Sequence, residues 1–334
     1  MIPLSVLDLV PVREGGTVAE ALRDAGELAA VAERAGYRRF WVAEHHGSPG
    51  IAGGATSVVL AHIGQATSTI RIGAGGIMLP NHNPFVIAEQ FGTLDGLYPG
   101  RIDLGLGRAP GAGAILAQAL RKDLQRAAEY FPQDVVELRA LLTGDMDLPI
   151  TATPGLGAQV DLWMLGSSLF GAQLAARLGL PYAFASHFAP DHLDAALAAY
   201  REQFRPSLAL AKPHVMAAMT VICADSDEEA EWLASSQDQS FVRLRSGDPG
   251  RLPPPIAGYR QSLPEVAQIM LQRLSVARAV GSPDTVRERI GWFLKRTHAD
   301  EIIVSGATYD PRARQRSLEL TMAAVEAAAR ETVA

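Results

Sequence analysis

Arg101-Ile-Asp-Leu-Gly-Leu-Gly-Arg-Ala-Pro-Gly-Ala-Gly113 is a short apolar run that opens into glycines and a single cation, Arg108. An apolar run without polar alternation suits a strand buried on both faces. The glycines that follow leave backbone amides bare, and with the guanidinium they can converge on an anion. The plainer reading of the same residues is a strand-to-helix turn with a surface arginine. Two standard phosphate loops are excluded. The dinucleotide fingerprint needs a glycine where Pro110 stands, and the nucleoside-triphosphate loop needs a Gly-Lys-Ser or Gly-Lys-Thr that the chain lacks.

Outward from this stretch, the same strand-then-helix pattern repeats. Residues 2 to 9 read as a strand, followed by a helix opened by the Thr17/Glu20 capping box and ended at Gly36. Strands follow at 40–42, 70–73, 101–105, 162–165, 182–185, 215–223 and 301–305, each with a helical segment after it. Eight short apolar strands alternating with helices predict an α/β fold with a parallel sheet closed into a (β/α)8 TIM barrel. Irregular insertions are expected near residues 143–160, as a surface excursion, and near 246–262, where proline and glycine suggest a mobile flap. No composition shift divides residues 1–334 into more than one domain.

The 334 residues are 48% hydrophobic and 20% charged, with a formal charge of -6 and no apolar run near the roughly 20 residues of a membrane span. No basic patch invites nucleic acid. One cysteine, Cys223, and no leader-like start point to the cytoplasm.

In a barrel the segments that follow the strands gather on one face, where such enzymes build their sites. Glu44-His45-His46, Gly75 to Asn83, the Arg108 loop, Gly166-Ser167-Ser168, Ser186-His187 and Gly306 to Tyr309 all meet this condition. Ser167 and Ser168, at a helix start, can bind a dianion from the side opposite Arg108, or Ser168 can simply cap its helix. Gly75-Gly76 reads as a positive-φ turn or as bare backbone against a flat ligand. His45 and His46, adjacent and so facing opposite ways, are poorly placed to share a metal, and no metal is expected. One of them is the best general acid or base in the chain. His82, His187 and Tyr309 are further candidates for shape or hydrogen bonding, while Asp95, Asp103 and Cys223 read as structural.

Trp-Val-Ala-Glu-His-His at 41–46, Gly-Ala-Gly-Gly-Ile-Met-Leu-Pro at 73–80, Ala-Glu-Gln-Phe-Gly-Thr-Leu-Asp at 88–95 and Pro-Gly-Arg-Ile-Asp-Leu-Gly-Leu-Gly-Arg-Ala-Pro-Gly at 99–111 together resemble the bacterial-luciferase-like flavin monooxygenases. Gly166-Ser167-Ser168 and Leu178-Gly179-Leu180-Pro181 extend the match over nearly the whole chain. The resemblance implies a barrel, commonly a homodimer, that binds reduced FMN supplied by a separate flavin reductase and uses oxygen to oxidise a small-molecule substrate. It implies that Arg108 and Gly166-Ser167-Ser168 hold the FMN phosphate, that a cis peptide joins Gly75 and Gly76 behind the flavin ring, and that His45 does acid or base work with Glu44 in support. Gly107 stands where luciferase has a cysteine, and residues 246–262 do not match luciferase's flap, so neither light emission nor a long-chain aldehyde follows. The alternatives are a deazaflavin-dependent oxidoreductase of the same superfamily, a flavin-binding protein without turnover, and a metal-dependent hydrolase built on Glu44 and His45.

Overall fold

The computed structural model describes residues 2–109, 114–120 and 123–331. Residues 110–113, the proline and last glycines of the expected anion loop, lie outside the described residues. Among the described residues nine parallel strands run in chain order: β1 Leu4–Asp8, β2 Arg39–Val42, β3 Arg71–Met78, β4 Ile102–Gly107, β5 Val160–Gly166, β6 Tyr182–Phe184, β7 Val215–Cys223, β8 Arg278–Gly281 and β9 Glu301–Ser305. Eight of them close the barrel in the order β1 to β7, then β9 and back to β1. Strand β8 was not expected. It pairs with the C-terminal half of β7 from Thr220 onward, and an arginine interrupts its short apolar run. Arg278 is buried there because Asp238 and Glu231 each pair with it at 3.1 Å.

The period-2 geometry of strands sorts the barrel's side chains into two sets. Val6, Phe40, Ile72, Leu104 and Val304 point outward into the large core under the helices. Leu7, Trp41, Trp163, Ala183, Met216 and Ile303 form a smaller cluster in the interior. Beneath this cluster, toward the strand N-termini, lies a closed ionic network. Arg39 donates to both oxygens of Asp103 at 2.9 Å and to Glu301 at 3.0 and 3.3 Å. Arg71 and the Trp41 indole also bond Asp103, and Ser5 bonds Glu301. Asp103 is thus structural, as expected. A Cβ on Gly73 would meet the Asp103 carbonyl oxygen at 2.5 Å and its Cβ at 2.6 Å, so the network itself calls for glycine.

Strand β3 runs five residues beyond its expected end at Gly73, through a bulge between Gly75 and Ile77. Its glycines are not turn signals: they let neighbouring strands approach closely. The 144–159 stretch is irregular, yet it packs closely. Ala152 is buried, Gly155 lies directly against Gly92, and Asp95 accepts from the Gln159 and Gly100 amides. The second insertion is less free than a flap. The helix Asp227–Arg245 extends past the expected end near Gln239, and Leu252 exchanges backbone hydrogen bonds with Val12 and Glu14. Short helices Tyr259–Ser262 and Glu265–Arg273 complete it. No described helix is long and apolar enough to cross a membrane.

Candidate active site

The segments leaving the C-terminal ends of β2 to β6 carry the candidate residues. Beyond β2, Glu44 is buried, and its amide donates to Gly76 O at 3.2 Å, tying the β2 exit to β3. Its carboxylate does not hydrogen-bond His45. Instead Oε1 contacts His46 Nε2 at 2.5 Å and His82 Nε2 at 2.8 Å, while Oε2 accepts from the Met78 amide at 2.9 Å. Glu44 thus hydrogen-bonds His46 and His82, and acts on His45 through its charge. Burial alone would raise the Glu44 carboxyl, but hydrogen bonds from His82, Met78 and His46 outweigh it and leave it below its ordinary value. The ligand atoms of this trio lie within 4.8 Å of one another, compact enough to hold a metal ion. Sequence spacing could not reveal that, because His82 arrives from the next strand's loop.

His45 is free of those bonds, and its Nδ1 is buried without a hydrogen-bond partner. Burial is the main cause of its lowered pKa, and the neighbouring His46 adds to it against the opposing pull of Glu44. His187, beyond β6, repeats the situation. Its Nδ1 is also buried and unpartnered, and burial, with His45 adding, pushes it down to about 4. The two imidazoles are therefore neutral at pH 7 and close enough to influence each other.

Gly75 and Gly76 are joined by a cis peptide bond, and neither has positive φ, which removes the turn reading. A Cβ on Gly76 would meet Gly105 O at 2.6 Å, and one on Gly75 would meet Leu7 Cδ1 at 2.7 Å, so both glycines are required by the protein's own packing. Gly107 differs. Among the described residues a Cβ there would meet only Ile77 O, at 3.7 Å, beside Arg108.

Arg108 is exposed, and no carboxylate among the described residues pairs with it. Its guanidinium carbon lies 3.9 Å from the ring centroid of Phe170, in the first turn of the helix Leu169–Leu178. Ser168 occupies the N-cap of that helix, but its hydroxyl makes no capping hydrogen bond. Simple capping is thus not its role here. Arg108 at the exit of β4 and the Ser167-Ser168 turn at the exit of β5 stand at neighbouring strand ends, joined by the contact of Arg108 with Phe170. Phe170 was not singled out from the sequence, since an aromatic in a helix's first turn reads as ordinary packing.

Two further features escaped the sequence. Asp8, fully buried at the end of β1, pairs with Arg314 at 2.9 Å and accepts from the Val10 amide. That contact holds Val10 at a φ of 52°, unusual for a β-branched residue. Tyr309 donates to Glu14 O at 2.8 Å and lies under Arg13, a hydrogen-bonding role. Cys223 is buried, and burial pushes its thiol up to about 12, as suits a core residue.

Comparison with known proteins agrees with this geometry. A family model described as luciferase-like monooxygenase matches residues 2–301. A luciferase-like monooxygenase of Escherichia coli (strain K12) is 48% identical over 96% of each chain. The N-acetyl-S-alkylcysteine monooxygenase of Bacillus subtilis (strain 168) is 31% identical over 99% of this chain and all of that one. Among solved structures, apo-MsnO8 is 36% identical with a TM-score of 0.87, over 98% of this chain and 99% of that one. The same fold, at 18 and 16% identity and TM-scores of 0.73 and 0.71, occurs in two proteins with different cofactors. One is the oxygenating constituent of a Pseudomonas putida 3,6-diketocamphane monooxygenase in complex with FMN, matched over 97% of this chain and 98% of that one. The other is an F420-dependent secondary alcohol dehydrogenase, matched over 97 and 99%.

Proposed function

The chain belongs to the luciferase-like monooxygenase family, and on that premise we propose that it is an FMN-dependent monooxygenase of two-component type. It takes reduced FMN from a separate flavin reductase and oxidises a small organic molecule. The observation that carries this reading is the arrangement at the exits of β4 and β5. Arg108 lies over Phe170 with no carboxylate partner among the described residues, and at the neighbouring strand exit the Ser168 hydroxyl stands uncommitted at a helix N-terminus. An uncompensated guanidinium beside free amides fits a phosphate dianion.

In this reading Arg108, Ser167 and Ser168 hold the phosphate of FMN, and the backbone of Gly75 and Gly76 backs its ring. When bound, reduced FMN supplies the two electrons that, with dioxygen, put one oxygen atom into the substrate and release the other as water. The protein's residues do the rest. Neutral His45, with Nδ1 unpartnered, takes a proton at that atom and returns it. Glu44 fixes His46 and His82 as a rigid wall beside it. The relative that is an N-acetyl-S-alkylcysteine monooxygenase makes thioethers a candidate substrate class. The homodimer and the cytoplasmic setting expected for such an enzyme belong to the same proposal.

The test is anaerobic titration with reduced FMN and, separately, with reduced F420. Tight binding of FMN that Arg108→Ala weakens, followed by substrate-dependent oxygen uptake that His45→Ala abolishes, is the expected result. Binding of F420 in preference to FMN would overturn the reading.

A further inference from the structure

The helix Asp227–Arg245 forms one wall of the barrel mouth. Its middle is fixed by the Gln237 amide, which donates to Thr220 of β7 at 3.4 Å and accepts from the Ala307 amide beyond β9 at 2.8 Å. Its last turns reach two strand exits three places apart in the ring. Arg243 pairs with Glu14 beyond β1 at 2.7 Å, and Arg245 donates to Phe188 O beyond β6 at 3.3 Å. The turns between therefore bound the mouth on its β7 and β9 side, facing Arg108 and the Ser167-Ser168 turn across it.

Arg245 is the unusual member of this wall. Its guanidinium carbon lies 4.7 Å from the Phe188 centroid and 5.0 Å from the Phe241 centroid, and these two rings meet edge to face at 6.0 Å. No carboxylate among the described residues lies within pairing distance of it. Arg243, two residues earlier on the same helix, does have such a partner in Glu14. Phe188, 41% exposed, directly follows His187, whose unpartnered Nδ1 belongs to the site.

We propose that Arg245, resting against the rings of Phe188 and Phe241, is the seat for a substrate carboxylate, and that the substrate is an amphipathic carboxylic acid whose apolar body lies against the two rings. This rests on the reading of the mouth as a monooxygenase site. One planar guanidinium matches the two oxygens of a carboxylate, and the aromatic faces restrict its swing, so little freedom is lost on binding. A phosphate ester is the weaker fit, because the neighbouring cation Arg243 is already neutralised by Glu14. A free amino acid finds Glu14 already engaged by Arg243. The acid's amine, if it has one, is blocked.

The experiment measures binding of three acids and their methyl esters by calorimetry, on the full-length protein with and without FMN. The probes are hexanoic acid, phenylacetic acid and N-acetyl-S-benzylcysteine. At least one acid should bind about tenfold or more tighter than its ester, the usual worth of a charge-assisted contact. Arg245→Gln should erase that preference while leaving ester and FMN affinities unchanged, and Arg245→Lys should keep part of it. An arginine serving only the helix C-terminus would change stability on substitution and leave the acid-to-ester ratio alone. Equal binding of acids and esters, no binding of any acid, or a preference that survives Arg245→Gln overturns the proposal. Failure of the protein to bind FMN would sink the cofactor reading separately, since the acid preference is also read on the flavin-free protein.

Discussion

Replacing Phe170 by leucine isolates the part of phosphate recognition that depends on how Arg108 is held. The guanidinium carbon sits 3.9 Å from the ring centroid at an exposed position, where such a contact contributes about 0.5 to 1 kcal/mol. Leucine keeps the apolar packing but removes the π face, so affinity for reduced FMN should fall roughly two- to fivefold. Arg108→Ala removes the charge itself, about 1.5 to 3 kcal/mol, or roughly ten- to 150-fold. The assay is anaerobic titration with reduced FMN and, in parallel, reduced riboflavin, which has the same ring without the phosphate. Both substitutions should lower the preference for FMN over riboflavin in that order of severity, with riboflavin affinity held and Phe170→Tyr restoring the wild-type ratio. If FMN and riboflavin weaken together in either variant, Arg108 and Phe170 support the fold of the site and not the phosphate, and the reasoning fails.

Four further outcomes follow from the geometry. Arg39→Met leaves the buried carboxylates of Asp103 and Glu301 without their shared cation and should destabilise the protein by about 3 to 5 kcal/mol in urea unfolding. Gly105→Ala would press a methyl against Leu165 and, at 2.5 Å, against Ala74 O, costing about 1 to 3 kcal/mol. Gly107→Ala, with only Ile77 O near, should leave the unfolding midpoint unchanged. The pH dependence has a definite sign: His187 is held down to about 4 in the folded protein, while in the unfolded chain it titrates near 6.5. Stability from this group is therefore complete above about pH 7 and is lost as pH falls toward 4, at up to about 1.4 kcal/mol per unit. Urea midpoints at pH 7, 5.5 and 4.5 should show that slope, and His187→Gln should flatten it.

The barrel was legible because burial on both faces makes each parallel strand an uninterrupted apolar run, and caps such as Thr17, Asn83 and Gly179 mark the helices between. The failures have local causes. Strand β8 contains an arginine made tolerable only by Asp238 and Glu231, forty and forty-seven residues away in the chain. The glycines of β3 imitate a loop, yet Gly73 and Gly76 answer to atoms of β4. At the site, Arg108, His45 and Ser168 stood out by position at strand exits. Their partners did not: nothing in Leu169-Phe170 announces a platform for Arg108, and the Glu44, His46 and His82 trio forms only when β2 and β3 lie side by side. The Phe188, Phe241 and Arg245 cluster likewise joins a strand exit to a helix end more than fifty residues later.

The two ends of the barrel treat charge differently, and that contrast supports the proposal of a working face at the mouth without reference to any relative. At the floor, Arg39, Arg71, Asp103 and Glu301 neutralise one another, and the buried nitrogens without a hydrogen bond among the described residues there are the Trp163 indole and His214 Nε2, the latter 3.7 Å from Glu301. At the mouth, Arg108 and Arg245 lack carboxylate partners among the described residues, the Ser168 hydroxyl caps nothing, and the Nδ1 atoms of His45 and His187 are buried and unpartnered. A buried polar group left unsatisfied costs about 1 to 3 kcal/mol, a burden the folded chain carries until a ligand completes the bonds. His187→Leu tests this directly. If the imidazole serves packing, an apolar side chain of similar bulk should leave both stability and turnover unchanged. If it awaits a ligand, the substitution should raise the unfolding midpoint, because the unsatisfied nitrogen is gone, and lower kcat/KM in the same protein. A stabilised variant with undiminished turnover would mean that His187 faces no substrate, and that the unpaired groups at the mouth are not one site.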